Sequence, residues 1–228
     1  MASNILRLED VNVFRGPAHI IRDFSLEVKE GETVALVGRN GAGKTTLINA
    51  IIGILPTANG KIEFKGQNIT HLPPHKRAKL GIGYAPDDRK IFTDLTVYEN
   101  LLIPIRYAKV DEKSALENIF ASFPKLRELL SRKGLHLSGG EQKMLAVARA
   151  LALSPSLILL DEPLEGLAPI AVEAFITSLK TLKMKNVALL IAESNLYYAL
   201  RLADIIYFID RGEVTWHGPP NEVPYRRV

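Results

Sequence analysis

Short apolar runs alternate with longer amphipathic stretches along most of this chain. Three runs are almost entirely apolar, as expected of strands that are covered on both faces of a parallel sheet; they are Thr33–Val37, Leu157–Leu160 and Val187–Ala192. Further strands are predicted at Ile5–Val13, Ile20–Val28, Lys61–Phe64, Ile82–Tyr84, Ile205–Ile209 and Glu213–His217. Because strands alternate with helices along the chain, the pattern predicts an α/β fold.

The helical segments fall into two groups. Separate helices are predicted at Thr45–Ile54, Arg77–Leu80 and Ile170–Lys183, and Asn68–Pro74 reads as a loop. From Asp94 to Ala152 the periodicity is helical with few strand signals, which indicates an inserted helical subdomain. The two N-terminal strands are joined across Arg15-Gly16-Pro17, and they predict an antiparallel β edge beside a mostly parallel core sheet.

A glycine-rich loop follows the first buried strand and precedes a helix. Gly38-Arg39-Asn40-Gly41-Ala42-Gly43-Lys44-Thr45 has the Walker A spacing, and Thr46 belongs to the same binding segment. The glycines permit backbone angles at which successive N–H groups point at phosphate oxygens, and the helix adds its positive end. Lys44 is expected to reach the β- and γ-phosphates, and the Thr45 hydroxyl to bind Mg²⁺. The loop alone indicates only a nucleotide, because small-molecule kinases and GTPases share it.

Two acidic residues follow the strand Leu157–Leu160. The strand carries Asp161 and Glu162 to the carboxyl edge of the sheet, where the ligands of such folds bind. Asp161 is expected to hold Mg²⁺ through water, and Glu162 to orient or deprotonate an attacking water. A buried strand can also end in two acids without any chemistry, but the neighbouring phosphate loop favours the functional interpretation.

A second glycine-rich segment, Leu137-Ser138-Gly139-Gly140-Glu141-Gln142, precedes the helical run Lys143–Leu153. Ser138 can cap this helix, and the glycines leave backbone N–H groups open to an anion. Alone, the segment would be an ordinary capped helix. Together with the two nucleotide motifs, in this order, it resembles the signature of the ATP-binding-cassette family. The resemblance covers the chain from about Ile5 to Pro220.

This resemblance implies an ATPase that works as a dimer with two ATP molecules at its interface. The signature residues Ser138, Gly139, Gly140 and Gln142 are expected to act on the ATP held by the partner subunit. Phe14 stands where the family has an aromatic ring that stacks on adenine. Residues 1–228 are expected to form one nucleotide-binding domain, with the core and β subdomain at about 1–86 and 153–228 and the helical signature subdomain at about 87–152.

Two positions depart from the family pattern. Asp87 stands where the family has a glutamine that touches magnesium and the attacking water, and it is a shorter, charged candidate ligand. Ser194 stands at the position of the switch histidine, and its hydroxyl is a candidate donor to the γ-phosphate. In other enzymes, loss of a single donor of this kind raises the activation free energy by roughly 2.7–4 kcal/mol. ATP hydrolysis at the chain's own site is therefore expected to be slow, or to differ in rate from hydrolysis at the partner's site.

These departures, together with Gly166-Leu167-Ala168-Pro169 and Thr96–Leu101, resemble one branch of the family. That branch contains the second ATPase subunit of importers for branched-chain amino acids and amides. The resemblance implies a different ATPase chain as partner, two transmembrane permease subunits and an extracytoplasmic solute-binding protein. The chain would then lie at the cytoplasmic face of the cell membrane. Ile91 and Phe92 are candidates for the contact with a permease helix.

Composition excludes several other classes. The chain has 228 residues and a net charge of +4, without a basic stripe interleaved with aromatics, so nucleic acid is not expected as a partner. Absence of cysteine excludes disulfides and thiolate metal sites. No apolar stretch could cross a bilayer, and no secretory signal is expected from the first residues. The alternatives are the ATPase of an exporter, a soluble cassette protein acting on nucleic acid or the ribosome, and a small-molecule kinase.

Overall fold

The computed structural model describes residues 3–224, which form two sheets and eight α-helices. The strands are β1 (Asn4–Arg15), β2 (Ala18–Lys29), β3 (Thr33–Val37), β4 (Asn59–Phe64), β5 (Gln67–Asn68), β6 (Ile82–Ala85), β7 (Leu157–Asp161), β8 (Ala188–Glu193), β9 (Ile205–Asp210) and β10 (Glu213–Gly218). The helices are α1 (Lys44–Ile52), α2 (Pro74–Leu80), α3 (Val97–Ala108), α4 (Glu112–Ser122), α5 (Lys125–Glu128), α6 (Gly139–Leu151), α7 (Pro169–Met184) and α8 (Leu196–Leu202), with 3₁₀ turns at Gly134–His136 and Pro220–Glu222.

The larger sheet places the candidate site residues at one edge. Its strand order is β10-β9-β3-β8-β7-β6, and all pairings are parallel except that of β10 with β9. Val37 pairs with Glu193, and Asp161 pairs with Ala192. The carboxyl ends of β3, β7 and β8 therefore lie side by side, and the segments that follow them meet there.

The smaller sheet has the order β2-β1-β4-β5 and is antiparallel throughout. Arg15 pairs with Ala18 across a turn in which Gly16 has φ +57°, a backbone angle that glycine adopts without strain. Most apolar residues of β1 and β2 are buried, and they form one hydrophobic core with α1 and β3. The α/β fold with an antiparallel edge is therefore confirmed.

The chain between β6 and β7 is helical. Residues 97–151 contain α3 to α6, whose apolar faces share a second hydrophobic core with α7 and β7. Capping boxes define where two of the helices begin, Thr96 with Glu99 at α3 and Ser138 with Glu141 at α6. The boundaries 87–152 for this subdomain stay a prediction, and residues 1–2 and 225–228 of the predicted domain lie outside the described residues.

Several element boundaries differ from the sequence-based expectation. Helix α1 ends at Ile52 instead of Ile54, because Gly53 adopts φ +84° and its N–H caps the last turn. Helix α2 begins at Pro74, inside the predicted loop, with the proline in the first turn where its missing N–H costs nothing. Helix α8 was not predicted, since its seven residues are too few to show a helical period.

A buried arginine fixes the region between α1 and α2. Arg77 is 2% exposed, and burial lowers the pKa of its guanidinium to about 10. The guanidinium donates to four carbonyl oxygens at 2.7–2.8 Å, those of Ala50, Ile51, Thr70 and Leu72. Two of these carbonyls lie at the C-terminal end of α1, where helix carbonyls lack partners inside the helix.

We expect Arg77→Met to lower the free energy of unfolding by about 3 kcal/mol or more, because each buried carbonyl left without a donor costs about 1–3 kcal/mol. Urea unfolding of the nucleotide-free protein measures this loss. Lys76→Met, on the exposed side of the same helix, is the control and should change stability by about 0.5 kcal/mol or less. Equal losses for the two variants would contradict the role assigned to Arg77.

Candidate active site

The phosphate loop joins β3 to α1 and depends on three glycines. Gly41 and Gly43 have φ +84° and +114°, in the region that favours glycine. A Cβ on Gly38 would lie 2.3 Å from the carbonyl oxygen of Ile209, so the close approach of the loop to β9 also excludes a side chain. The loop is therefore shaped by its own backbone, as a phosphate cradle requires.

Lys44 lies at the centre of the site although it is only 5% exposed. Its Nζ donates to the carbonyl oxygens of Gly38 at 2.7 Å and Arg39 at 3.3 Å. The same ammonium lies 3.1 Å from Oε1 of Glu162 and 2.9 Å from Oγ of Ser194. One buried cation thus joins the phosphate loop to the ends of β7 and β8.

Ser194 reaches the carboxylate of Glu162 despite its short side chain. Its Oγ lies 2.5 Å from Oε1 of Glu162 and 2.9 Å from Oδ1 of Asn40, and its backbone N–H donates to Oε2 of Glu162 at 3.0 Å. Since a hydroxyl donates once, Ser194 can donate to Glu162 while it accepts from Lys44. The sequence predicted a contact with phosphate here, and the structure adds a contact with Glu162.

The environment of Glu162 favours its ionised form. Burial acts to raise the pKa of this carboxyl, but the hydrogen bonds from Ser194 and the charge of Lys44 outweigh burial and hold the pKa below its usual value. A carboxylate accepts protons, so Glu162 has the charge state required to orient or deprotonate a water. Its backbone has φ +45°, a left-handed conformation that is uncommon for a residue with a side chain.

Thr45 and Asp161 are suited to a magnesium ion. The Thr45 hydroxyl donates to Oδ1 of Asp161 at 3.1 Å, and burial raises the pKa of Asp161 to about 6. Both groups offer the oxygen ligands that Mg²⁺ prefers, and the ion usually takes its remaining ligands from phosphate and water. Within residues 3–224 no group of three or more histidine or acidic side chains could hold a metal by itself. Thr46, on α1, is buried.

A cleft of about 840 Å³ borders the phosphate loop on the side of β9. The loop residues that line it are Gly38, Arg39, Asn40, Gly41 and Ala42. Phe14 lies outside this lining, at the end of β1, where its ring is 41% exposed and stacks on His19 with the centroids 4.2 Å apart. Adenine stacking on Phe14 therefore stays a prediction.

The signature forms the N-terminus of α6. The Ser138 hydroxyl accepts from the backbone N–H of Glu141 at 3.3 Å, and Ser138 and Gly139 are exposed. Gln142 turns inward: its amide donates to the carbonyls of Gly134 and Leu137 and accepts from Arg89. Gln142 thus anchors the loop before α6, and a contact of its side chain with ATP stays a prediction, as do those of Ser138, Gly139 and Gly140.

Asp87 lies two residues after β6 with its side chain half exposed, and Oδ1 is 3.6 Å from Nζ of Lys143. Its negative charge contributes to the raised pKa of Asp161, so the two carboxylates share one electrostatic environment. A metal-binding role for Asp87 stays a prediction.

Sequence reasoning missed two charged residues in this region. Glu193 ends β8 at 2% exposure, and burial raises the pKa of its carboxyl to about 8. Its Oε1 accepts from the N–H groups of Ser194 and Asn195, while Oε2 has no hydrogen-bond partner in the described part of the chain. Lys143, on α6, is the second. A signal was available for Glu193, because it is a charged residue at the end of an apolar run and next to a motif. Lys143 gave no such signal, since a lysine in a helical run normally faces solvent.

A phosphate loop, an acidic strand end and a capped glycine-rich helix on one α/β sheet define a P-loop ATPase cassette. Residues 21–165 match the family model described as ABC transporter. The chain belongs to this family and is an ATPase.

Relatives similar over nearly the whole chain include transport proteins of two kinds. BraG of Pseudomonas aeruginosa, a high-affinity branched-chain amino acid transport ATP-binding protein, is 36% identical over 93% of this chain and 92% of its own. The probable branched-chain amino acid transport protein LivF of Archaeoglobus fulgidus is 37% identical over 96% and 94%. LptB of Escherichia coli, of a lipopolysaccharide export system, is 36% identical over 90% and 86%.

Solved structures show the same fold. The ADP conformation of MJ1267, an ATP-binding cassette of an ABC transporter, matches with a TM-score of 0.82 and 31% identity over 95% of this chain and 91% of that one. The dimeric post-hydrolysis state of MJ0796, bound to ADP and Pi, matches with 0.83 and 25% identity over 94% and 98%. None of the helices in residues 3–224 has the length and apolar character needed to cross a bilayer.

We expect Glu193→Gln to stabilise the nucleotide-free protein increasingly as the pH rises. Glu193 has a pKa of about 8 in the folded state, above the ordinary value of 4.5 for a glutamate. It therefore contributes stability that is fully present below the lower value and is lost as the pH passes the higher one. The variant lacks this loss, so its advantage should grow from near zero at pH 5 to about 1–3 kcal/mol at pH 9. Urea unfolding in EDTA measures it, with Glu30→Gln on the exposed β2–β3 turn as the control. A constant difference across this pH range would contradict the assignment.

We expect Ser194→His to raise the ATP turnover of this chain's own site by about tenfold or more, because an imidazole can supply a donor to the γ-phosphate that serine reaches less well. Ser194 is exposed, so the larger ring has room. Steady-state hydrolysis by the assembled transporter checks this, with Ser194→Ala as the comparison. Unchanged turnover on restoring histidine would rule out the missing donor as the cause of a slow site.

Proposed function

We propose that this ATPase powers a membrane transporter that takes up branched-chain amino acids or related small solutes. The main support is the resemblance of Asp87, Ser194 and Gly166–Pro169 to one branch of importer ATPases. The similarity to BraG and LivF over more than nine-tenths of the chain agrees with it. The substrate itself would be selected by the permease and the solute-binding protein.

Export is the second candidate. LptB of Escherichia coli has the same 36% identity as BraG, so identity alone does not separate the two directions of transport. Import ranks first because the branch resemblance rests on residues within and next to the active site.

The bound nucleotide in this proposal is ATP with Mg²⁺. Lys44 would bind the β- and γ-phosphates, and Thr45 and Asp161 would hold the ion, with Asp87 as a further candidate ligand. The ion, when bound, neutralises charge on the transferred phosphoryl group. Glu162 would orient or deprotonate the attacking water, and the hydrogen bond from Ser194 would hold its carboxylate in place and in its charged form.

The working unit would be a heterodimer. The signature N-terminus at Ser138 and Gly139 is exposed and makes its capping contacts within α6, which leaves it available to a second subunit. MJ0796, a cassette of similar fold, is dimeric with ADP and Pi bound. We infer a different partner chain because a homodimer would have Ser194 at both of its ATP sites. Neither site would then have the histidine donor to the γ-phosphate.

A groove of about 450 Å³ between α3 and α6 is the proposed contact with the permease. Its apolar rim includes Ile54, Ile103 and Tyr107, which are 52%, 43% and 46% exposed. Exposed apolar residues grouped around a groove fit an amphipathic helix of a partner. Of the two predicted contact residues, Phe92 is 45% exposed and suits this role, whereas Ile91 packs against the core.

The proposal predicts that the chain purifies from membranes with two permeases and a second ATPase, and that the complex in vesicles takes up leucine, isoleucine or valine with ATP. Uptake requires the solute-binding protein outside and ATP on the other face. Ile103→Asp should abolish co-purification with the permeases while leaving ATP binding intact, because a buried charge would disrupt an apolar contact. Met184→Asp, which alters an 87% exposed apolar residue on α7, is the matched control.

Three outcomes would contradict parts of this proposal. ATP-dependent movement of a lipid or glycolipid out of the vesicle membrane, without amino-acid uptake, would favour the exporter. Purification with ribosomes or nucleic acid would reject the transporter. If Met184→Asp abolished the complex and Ile103→Asp did not, the permease contact would have to lie on a surface other than this groove.

A further inference from the structure

Lys143 is a buried cation that belongs to none of the motifs considered so far. It follows the signature on α6, and its side chain is 6% exposed. Its Nζ donates to the backbone carbonyl of Glu162 at 2.6 Å and lies 3.6 Å from Oδ1 of Asp87. One ammonium group therefore contacts both the residue expected to activate water and the loop after β6.

The surroundings of Lys143 make these two contacts important. The residues Pro86, Asp161 and Pro163 line a cavity of about 10 Å³ with Lys143, close to the lower limit for one water molecule. Glu165 attracts the ammonium and Arg89 repels it, and burial lowers its pKa. A buried charge needs a partner or several hydrogen bonds, and here Asp87 and the Glu162 carbonyl supply them.

The backbone of Glu162 is held from two sides. Its N–H donates to the carbonyl of Ala192 on β8 at 3.0 Å, and its carbonyl accepts from Lys143 on α6. Its φ of +45° is an uncommon conformation that persists only where the surroundings enforce it. Because the backbone angles set the direction of the side chain, Lys143 contributes to where the Glu162 carboxylate points.

We propose that Lys143 is a positioning residue for ATP hydrolysis, which holds the Glu162 backbone and acts with Asp87 as a charge-matched pair. Asp87 gives the buried ammonium its counter-charge, so a neutral residue at position 87 is tolerated only when position 143 is neutral too. The pair links the loop after β6 to the hydrolytic carboxylate. This inference rests on the ATPase assignment and is independent of the transported solute.

A double-mutant cycle in the full chain tests the pair. Asp87→Asn should lower kcat by about fivefold or more, since it leaves a buried ammonium without its carboxylate. Adding Lys143→Gln should restore kcat to within about twofold of Lys143→Gln alone, because the neutral amide still donates to the Glu162 carbonyl. Loss of a magnesium ligand would give no such rescue. Independent, multiplying effects would overturn the pairing.

The positioning role is tested by Lys143→Met, which removes both the charge and the donor. We expect kcat to fall by about tenfold or more with the KM for ATP within about threefold, since Lys44 and the phosphate loop are untouched. Lys143→Gln should keep more of kcat than Lys143→Met. A kcat within about twofold of wild type, measured well below the unfolding temperature, would make Lys143 merely structural and overturn the proposal.

Urea unfolding in EDTA without nucleotide gives a second readout of the same cycle, which does not depend on turnover. The shifts of the urea midpoint caused by the single Asp87 and Lys143 variants should not add up to the shift of the double variant. The matched control is the exposed ion pair of Glu117 and Arg127, 2.7 Å apart in the same helical region, changed to glutamine singly and together. Its midpoints should be additive and its kcat should stay within about twofold of wild type. If the wild type hydrolyses no ATP, the ATPase assignment fails. Additive shifts of the urea midpoint in the Asp87–Lys143 cycle would instead overturn the proposed pairing of these two residues.

Discussion

The Lys44 ammonium at the carboxyl edge of the parallel sheet is the interaction on which the site depends. It is buried, and its neighbours come from the phosphate loop, from the end of β7 and from the end of β8. A cation in such surroundings is stable only with negative or polar groups in contact, so its presence requires the three chain segments to meet. The register of the sheet brings them together, since Val37 pairs with Glu193 and Asp161 with Ala192.

The three buried carboxyls at this edge of the sheet have pKa values that are shifted in different directions. Burial raises the pKa values of Asp161 and Glu193, whereas Ser194 and Lys44 lower that of Glu162. The one carboxyl expected to accept a proton is thus the one held in its charged form. Neighbouring acids with different pKa values are a common means of dividing roles within an active site.

The sequence allowed the sheet, the phosphate loop, the acidic pair and the capped signature helix to be predicted, because each combines a local period with residues of special chemistry. Helix α8 was not predicted, since its seven residues show too little periodicity. The contact of Ser194 with Glu162 was not predicted either, because residues 32 positions apart in sequence meet here only through strand pairing. The burial of Lys143 was equally hidden. A lysine in a helical run is normally a solvent-facing residue, and only the packing of α6 against the end of β7 shows that this one is buried.

At Glu162, a left-handed backbone that lowers the stability of the fold is combined with a side chain that is expected to be needed for ATP turnover. Glycine or asparagine would adopt φ +45° more easily, and non-glycine residues in this region cost of order 1–3 kcal/mol. Replacing strained residues one at a time to stabilise the cassette would therefore select position 162 early. The product would be a more stable protein that lacks the carboxylate expected to activate water. Engineering for heat resistance should begin away from the sheet edge, at positions whose backbone strain serves no chemistry.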